Sequence, residues 1–195
     1  MPKKTIKKES GYTIIETMIA VSLFVIIVML GMGALLNANL LHKKSQGMRS
    51  IMDNLSFVME DISRSLRTGY NYHCLVANQA SLPQPFTARS CEDGVVGIAF
   101  EAENGDPDDN TDQWVYYVEN GIIKKSTDGA TIFPLTPAEV EVEKFSFSIL
   151  GAEPPPGNTQ QPLIFIKISG KITLKDNATT PFYLQTAVSQ RAVDI

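Results

Sequence analysis

Cysteine and histidine are scarce in this chain, with two of each among 195 residues. Cys74 and Cys91 do not form a C-x-x-C pair, so a thioredoxin-like redox motif is not supported. His42 and His73 have no partner at a recognisable ligand or catalytic spacing; His73 merely adjoins Cys74. Such a neighbour pair can open a metal site or supply a nucleophile. A disulfide cysteine beside a surface histidine is the plainer reading. No catalytic constellation is legible, so neither an enzyme nor a metal or other cofactor is expected. An excess of basic residues is also lacking. The net charge is −4, which gives no reason to expect direct nucleic-acid binding. No internal repeat is visible.

The most localised absence is that of charge. From Thr17 to Leu41 there is not one charged side chain. The dense part, Thr17 to Leu36, is long enough for a helix of roughly 30 Å, about the hydrocarbon thickness of a bilayer. Lys3, Lys4, Lys7 and Lys8 precede it, with only Glu9 to offset them. That bias puts the N-terminus in the cytoplasm and the rest of the chain outside. Cys74 and Cys91 then face a compartment where disulfides persist. A bridge between them is expected, worth roughly 3 kcal/mol for a loop of this size.

A cleaved signal peptide has the same charged start and apolar run, and Gly31-Met32-Gly33 offers a small-x-small cleavage site. The apolar run is longer than a usual h-region, however. Glu16 also stands at its beginning, where a signal peptide has no use for a carboxylate. A carboxylate in an apolar helix costs roughly 2.5–3.5 kcal/mol at the bilayer centre and less at the interface, so such a residue is a functional hypothesis by default. Tyr12 and Glu16 are four residues apart, one turn along a helix and on one face.

The segment Lys7-Lys8-Glu9-Ser10-Gly11-Tyr12-Thr13-Ile14-Ile15-Glu16 resembles the cleavage region of type IV prepilins and of the pseudopilins of type II secretion. In that family a short basic leader ends in Gly, and cleavage follows the Gly. The new N-terminal residue, usually Phe, is N-methylated, and a Glu stands at the fifth mature position. Gly11 matches the residue before the cut, Tyr12 the methylated terminus and Glu16 the fifth position; Tyr12 departs from Phe but keeps an aromatic ring. The resemblance implies processing by prepilin peptidase. It also implies that Glu16 neutralises the terminal amine of a neighbouring subunit in a filament. The partners it implies are other pilin or pseudopilin subunits, an inner-membrane assembly platform and membrane lipid. The family's major pilins often carry Pro at mature position 22, which is Gly33 here. Gly31 and Gly33 either soften the helix, at roughly 1 kcal/mol each relative to Ala, or let neighbouring helices pack closely. The residues leave both readings open.

The helical pattern continues past Lys43 and Lys44. Met48, Ile51, Met52, Leu55, Val58, Met59, Ile62 and Leu66 recur at three- and four-residue spacing, with polar residues between them. The stripe reads as core. Gly69 reads as the helix stop. A helix from Tyr12 to Thr68 would be about 85 Å long. Asp61, Arg64 and Arg67-Thr68-Gly69 look similar to the J-class minor pseudopilins and to minor pilins of PilW type.

Tyr70 to Gly94 reads as a loop region stapled by the cysteines. Strand-like segments follow at Val95–Glu101, Trp114–Val118, Ile122–Lys125, Val140–Leu150, Leu163–Leu174 and Phe182–Val188. Glu119-Asn120-Gly121 is a hairpin signal, and the short turns imply an antiparallel sheet. The acidic stretch Asp106 to Asp112 resembles the start of an EF-hand loop, but Thr111 stands where the turn Gly belongs and Tyr117 where the closing Glu belongs. A solvated turn is the plainer reading.

The expected fold is therefore α+β, a long N-terminal helix packed on an antiparallel β-sheet head. The expected parts are a leader at 1–11, a membrane and assembly helix at 12–41, and an extracytoplasmic domain at 42–195, comprising an amphipathic helix at 42–68 and a sheet head at 69–195. The function expected is a structural subunit, a minor one, of a type IV pilus or secretion pseudopilus at the inner membrane. The alternative is a membrane-anchored extracytoplasmic binding domain that does not assemble.

Overall fold

A computed structural model describes residues 11–75, 87–109, 111–154, 156, 158–174 and 179–191, with the backbone alone at 93 and 94. Lys3, Lys4, Lys7, Lys8 and Glu9, in the segment expected to be a leader, lie outside the described residues. Contacts divide the chain into two compact units, Met1–Gln46 and Gly47–Ile195. The helix α1 (Ile14–Thr68) runs through that division.

In the first unit every described side chain is exposed except Val28, which is half-buried. The segment has no proline, so no residue in it removes a helix hydrogen bond or forces a break. A helix apolar on all faces must be covered by something other than its own chain.

In the second unit α1 becomes one-sided. Leu55, Val58, Met59, Ile62 and Leu66 are buried, and Met48, Ile51 and Met52 are partly buried against the same core. The helix stops where expected, at Thr68, but Gly69 does not have the left-handed backbone of a glycine cap. Its smallness matters instead: a Cβ on Gly69 would collide with the Phe100 ring and lie 2.9 Å from the carbonyl of Glu101. The left-handed residue is Asn71, at φ 55°, where the first strand has an irregular register. The orphan carbonyls at the helix end are met by tertiary donors. Tyr72 Oη, fully buried, is shared between the carbonyls of Leu66 and Gly69, 2.6 Å from each, and the Arg191 amide donates to the Arg67 carbonyl at 2.8 Å.

The strands are β1 (Tyr70–Leu75), β2 (Cys91–Val95), β3 (Gly97–Glu101), β4 (Trp114–Glu119), β5 (Ile122–Ser126), β6 (Ile132–Pro134), β7 (Val140–Leu150), β8 (Leu163–Thr173) and β9 (Thr179–Ser189). They form two antiparallel sheets where a single sheet was expected. One has the order β1-β3-β4-β5-β6 and the other β2-β7-β8-β9. The region read as a long loop, Tyr70 to Gly94, thus supplies an edge strand to each sheet. Strand β1 escaped notice because it follows the helix at once and does not alternate, having Tyr72, His73, Cys74 and Leu75 all buried.

Three segments follow sequence pattern closely. Asn120 and Gly121, at φ 53° and 74°, make the two-residue turn between β4 and β5. Strand β8 buries Ile164, Ile166, Ile168 and Ile172 and exposes Phe165, Lys167 and Lys171, the period of two of a half-buried strand. Strand β7 has the expected bounds but carries an irregularity between Val142 and Lys144. There its backbone crowds β8, so that a Cβ on Gly170 would overlap the Glu141 carbonyl and lie 2.9 Å from Val142 Cα. One hydrophobic cluster joins the second half of α1 to residues of both sheets.

Candidate functional site

The first candidate is the start of α1. Gly11, Tyr12 and Thr13 precede the helix, and Gly11 and Tyr12 are exposed. Tyr12 is therefore not on a helical face with Glu16 as its spacing suggested. Thr13 is the residue that engages Glu16. Its amide and its hydroxyl both donate to Glu16 Oε2, at 3.0 and 2.9 Å, and the Glu16 amide donates back to Thr13 Oγ1 at 3.3 Å. This is a capping box, in which two otherwise unpaired helix-start amides are satisfied reciprocally. Its signature, Thr-x-x-Glu before an apolar run, stands in the sequence at Thr13 to Glu16.

Beyond this cap, α1 contains an eighteen-residue stretch of mean hydropathy 2.8, none of it buried within the chain. It is long and apolar enough to cross a membrane, and its exposure is unlike that of a soluble core helix. Gly31 and Gly33 have nothing within 4 Å of a Cβ placed on them, so nothing in the chain itself packs closely there. His42, near the far end of the run, contacts the side-chain amide of Gln46 one turn on, at 3.0 Å.

The second candidate is the Cys74–Cys91 region. The two are disulfide-bonded, with Cα atoms 6.4 Å apart. His73 is not a surface residue: it is 4% exposed, and its Nδ1 lies 2.9 Å from the Thr87 carbonyl. Close to the bridge, Ser90 gives its amide and its hydroxyl to the two oxygens of Glu153, at 2.7 and 2.5 Å. Those bonds hold the Glu153 carboxyl below its ordinary range.

The third candidate is the acidic loop between β3 and β4. Asp106 and Asp109 turn to the loop's own backbone. Asp106 Oδ1 accepts from the Asp108 amide at 3.0 Å, and Asp109 Oδ1 accepts from the Thr111 amide and hydroxyl at 2.9 and 2.7 Å. Asn110, one of the oxygen-rich positions of the EF-hand-like pattern, lies outside the described residues. Among the described residues no group of three His, Cys, Asp or Glu side chains is placed to hold a metal ion.

Beneath this loop lies Glu101, the last residue of β3, whose strand-end position in the sequence carries no sign of a site. Glu101 is fully buried, accepts from Gln113 Nε2 at 2.7 Å through Oε1, and has no partner for Oε2. Burial pushes its carboxyl up to about 7, and the neighbouring Asp112 and Asp106 push the same way against the Gln113 bond.

Asp61 of α1 ties the helix to the first sheet. Its Oδ2 accepts from Tyr116 Oη at 2.9 Å and lies 3.2 Å from Lys125 Nζ, which sits 4.2 Å above the Trp114 ring. Burial raises the Tyr116 phenol far above its ordinary value. This cluster borders a groove lined also by Arg64, Thr68 and loop residues Glu103 to Gly105.

No family model, curated protein or solved structure was found to match this chain.

Proposed function

We propose that this chain is a minor subunit of a type IV pilus or a type II secretion pseudopilus. In this reading prepilin peptidase cuts between Gly11 and Tyr12, and the mature chain waits in the inner membrane with its C-terminal unit outside. It then moves from the membrane into a filament with sibling subunits. One observation carries the reading: an uncovered, uncharged apolar helix has a single carboxylate, Glu16, in its first turn, just after a Gly–aromatic junction. A span that only anchors needs no such group, and keeping it near lipid has a cost. In the filament, Glu16 offsets the cationic amine of a neighbour's Tyr12. That pairing sets subunit register where apolar contacts alone leave the helices free to slide.

The capping box gives the alternative its own support. Two bonds from Thr13 provide Glu16 with work inside its own chain, as a membrane-anchored domain that never assembles would have. Mass spectrometry of the native membrane protein distinguishes the two. Filament assembly requires a mature terminus at Tyr12, N-methylated, and sibling subunits recovered by crosslinking. A terminus at Met1, or one at Ala34 as ordinary signal cleavage would leave, sinks the proposal.

A further inference from the structure

We propose that Glu101 and Asp112 share one proton, and that this proton latches down the loop joining β3 to β4. Asp112 bears on Glu101 through a side-chain hydrogen bond and as a like charge, and both raise the Glu101 carboxyl. Glu101 is fully buried, and its Oε2 has no donor. Asp112 Oδ1 is likewise buried without a partner, whereas Asp112 Oδ2 holds the Asp106 amide at 2.9 Å. Two unmatched carboxyl oxygens closed to solvent repel each other in low dielectric; a single proton between them turns that repulsion into a strong hydrogen bond.

The surroundings offer no substitute charge. Asp106 and Asp112 of the loop and the Tyr70 phenol of β1 act on Glu101, and all three disfavour its ionisation or supply no cation. The cations along the neighbouring groove have partners of their own: Lys125 is with Asp61, and Arg64 is with Glu60 at 3.6 Å. Glu103, the remaining charged residue lining the groove, is again an acid. Gln113 has its amide nitrogen on Glu101 Oε1, which serves either protonation state.

The loop is held at two points, one of them by a member of this pair. Asp112 closes it through the Asp106 amide, and Tyr70 Oη donates to the Gly105 carbonyl at 2.7 Å. Gly105 also lies directly over the acid, since a Cβ there would sit 2.7 Å from Glu101 Oε2. The sign follows from the raised carboxyl. The closed loop is favoured at acid pH and weakens as pH rises through about 7, because ionised Glu101 has an escape only in an opened, hydrated loop. The groove beside α1, lined by Glu103 to Gly105, then changes shape with extracytoplasmic pH. The inference does not depend on filament assembly.

The test is hydrogen exchange of the full chain in detergent micelles at pH 6 and pH 8, corrected for the intrinsic exchange rate. It is read on peptides covering 102–109. One shared proton with these values gives about tenfold weaker protection at pH 8 than at pH 6. Glu101→Gln, neutral at both values and able to donate to Asp112, is expected to show equal protection at the two. Asp112→Asn, which can donate to an ionised Glu101, flattens the response by a second route. Equal protection of the unaltered chain at pH 6 and pH 8 overturns the proposal, as does a tenfold response that persists in Glu101→Gln. A pH-independent loop that gains protection only on adding calcium would assign the pair to a cation instead.

Discussion

Cys74 and Cys91 lie on the edge strands of two different sheets, with 6.4 Å between their Cα atoms. Cys74 pairs in register with Ile98 of β3, and Cys91 with Ile149 of β7. The bridge is therefore a link between layers, and more than a clasp on the loop that it closes. Because β1 follows α1 directly, the bridge also ties the end of the helix to the second sheet. The Ser90–Glu153 bonds reinforce the same corner.

Removing the bridge should loosen that corner. Cys74→Ala with Cys91→Ala is expected to cost roughly 3 kcal/mol, the loop-closure value for a crosslink of this span. Denaturant unfolding followed by Trp114 fluorescence checks it. A loss under about 1 kcal/mol would mean that the hydrophobic core alone holds the sheets together.

Glu16 has two separable roles, one as a cap and one as a charge. Glu16→Gln preserves the acceptor of the capping box and removes the charge, whereas Thr13→Ala removes the hydroxyl half of the cap and preserves the charge. If the filament reading holds, Glu16→Gln abolishes crosslinking to sibling subunits at unchanged membrane level. Thr13→Ala then keeps the crosslink and costs only about 1 kcal/mol of helix stability. The opposite pattern would make Glu16 a cap and nothing more. Glu16→Val, which loses both roles, should still insert in the membrane and still fail to partner.

Asp61 is expected to matter more for folding than its half-exposed position suggests. Asp61→Ala takes from the buried Tyr116 hydroxyl its charged acceptor, leaving only Ser65 Oγ at 3.1 Å, and takes the counter-charge from Lys125. The expected loss is about 2–3 kcal/mol, with Tyr116→Phe costing only about 1 because it removes donor and need together. Equal costs for the two, measured by unfolding, would show that water replaces Asp61 as acceptor for Tyr116 and Lys125.

Two glycines should respond differently to the same change. Gly170→Ala pushes a methyl into the Glu141 carbonyl across the irregular β7–β8 pairing, and the expected cost is about 3 kcal/mol or outright misfolding. Gly129→Ala meets only the Thr111 carbonyl, at 3.9 Å, and bears the strain of φ 68° alone, about 1 kcal/mol. A reversed order in melting temperature would mean that the β7 irregularity relaxes freely.

Local patterns in the sequence determined a good deal of this protein. The uncharged run, the stripe from Met48 to Leu66, the Asn120-Gly121 turn and the alternation of β8 each report how a segment meets its surroundings. Such patterns are local because a helix or strand repeats every few residues. The Thr13-x-x-Glu16 cap signal is local in the same sense, though the reading of Glu16 as an assembly residue overlooked it. Tertiary structure alone decided that the strands divide into two sheets, that β1 and β2 stand at opposite edges of the cysteine bridge, and that His73 is buried. It alone brought Glu101, at the end of β3, together with Asp112, in the loop before β4. Nothing in spacing reports that a strand's last carboxylate is roofed by a loop. The cost of its charge is set by which atoms cover it, and those come together only when the chain has packed.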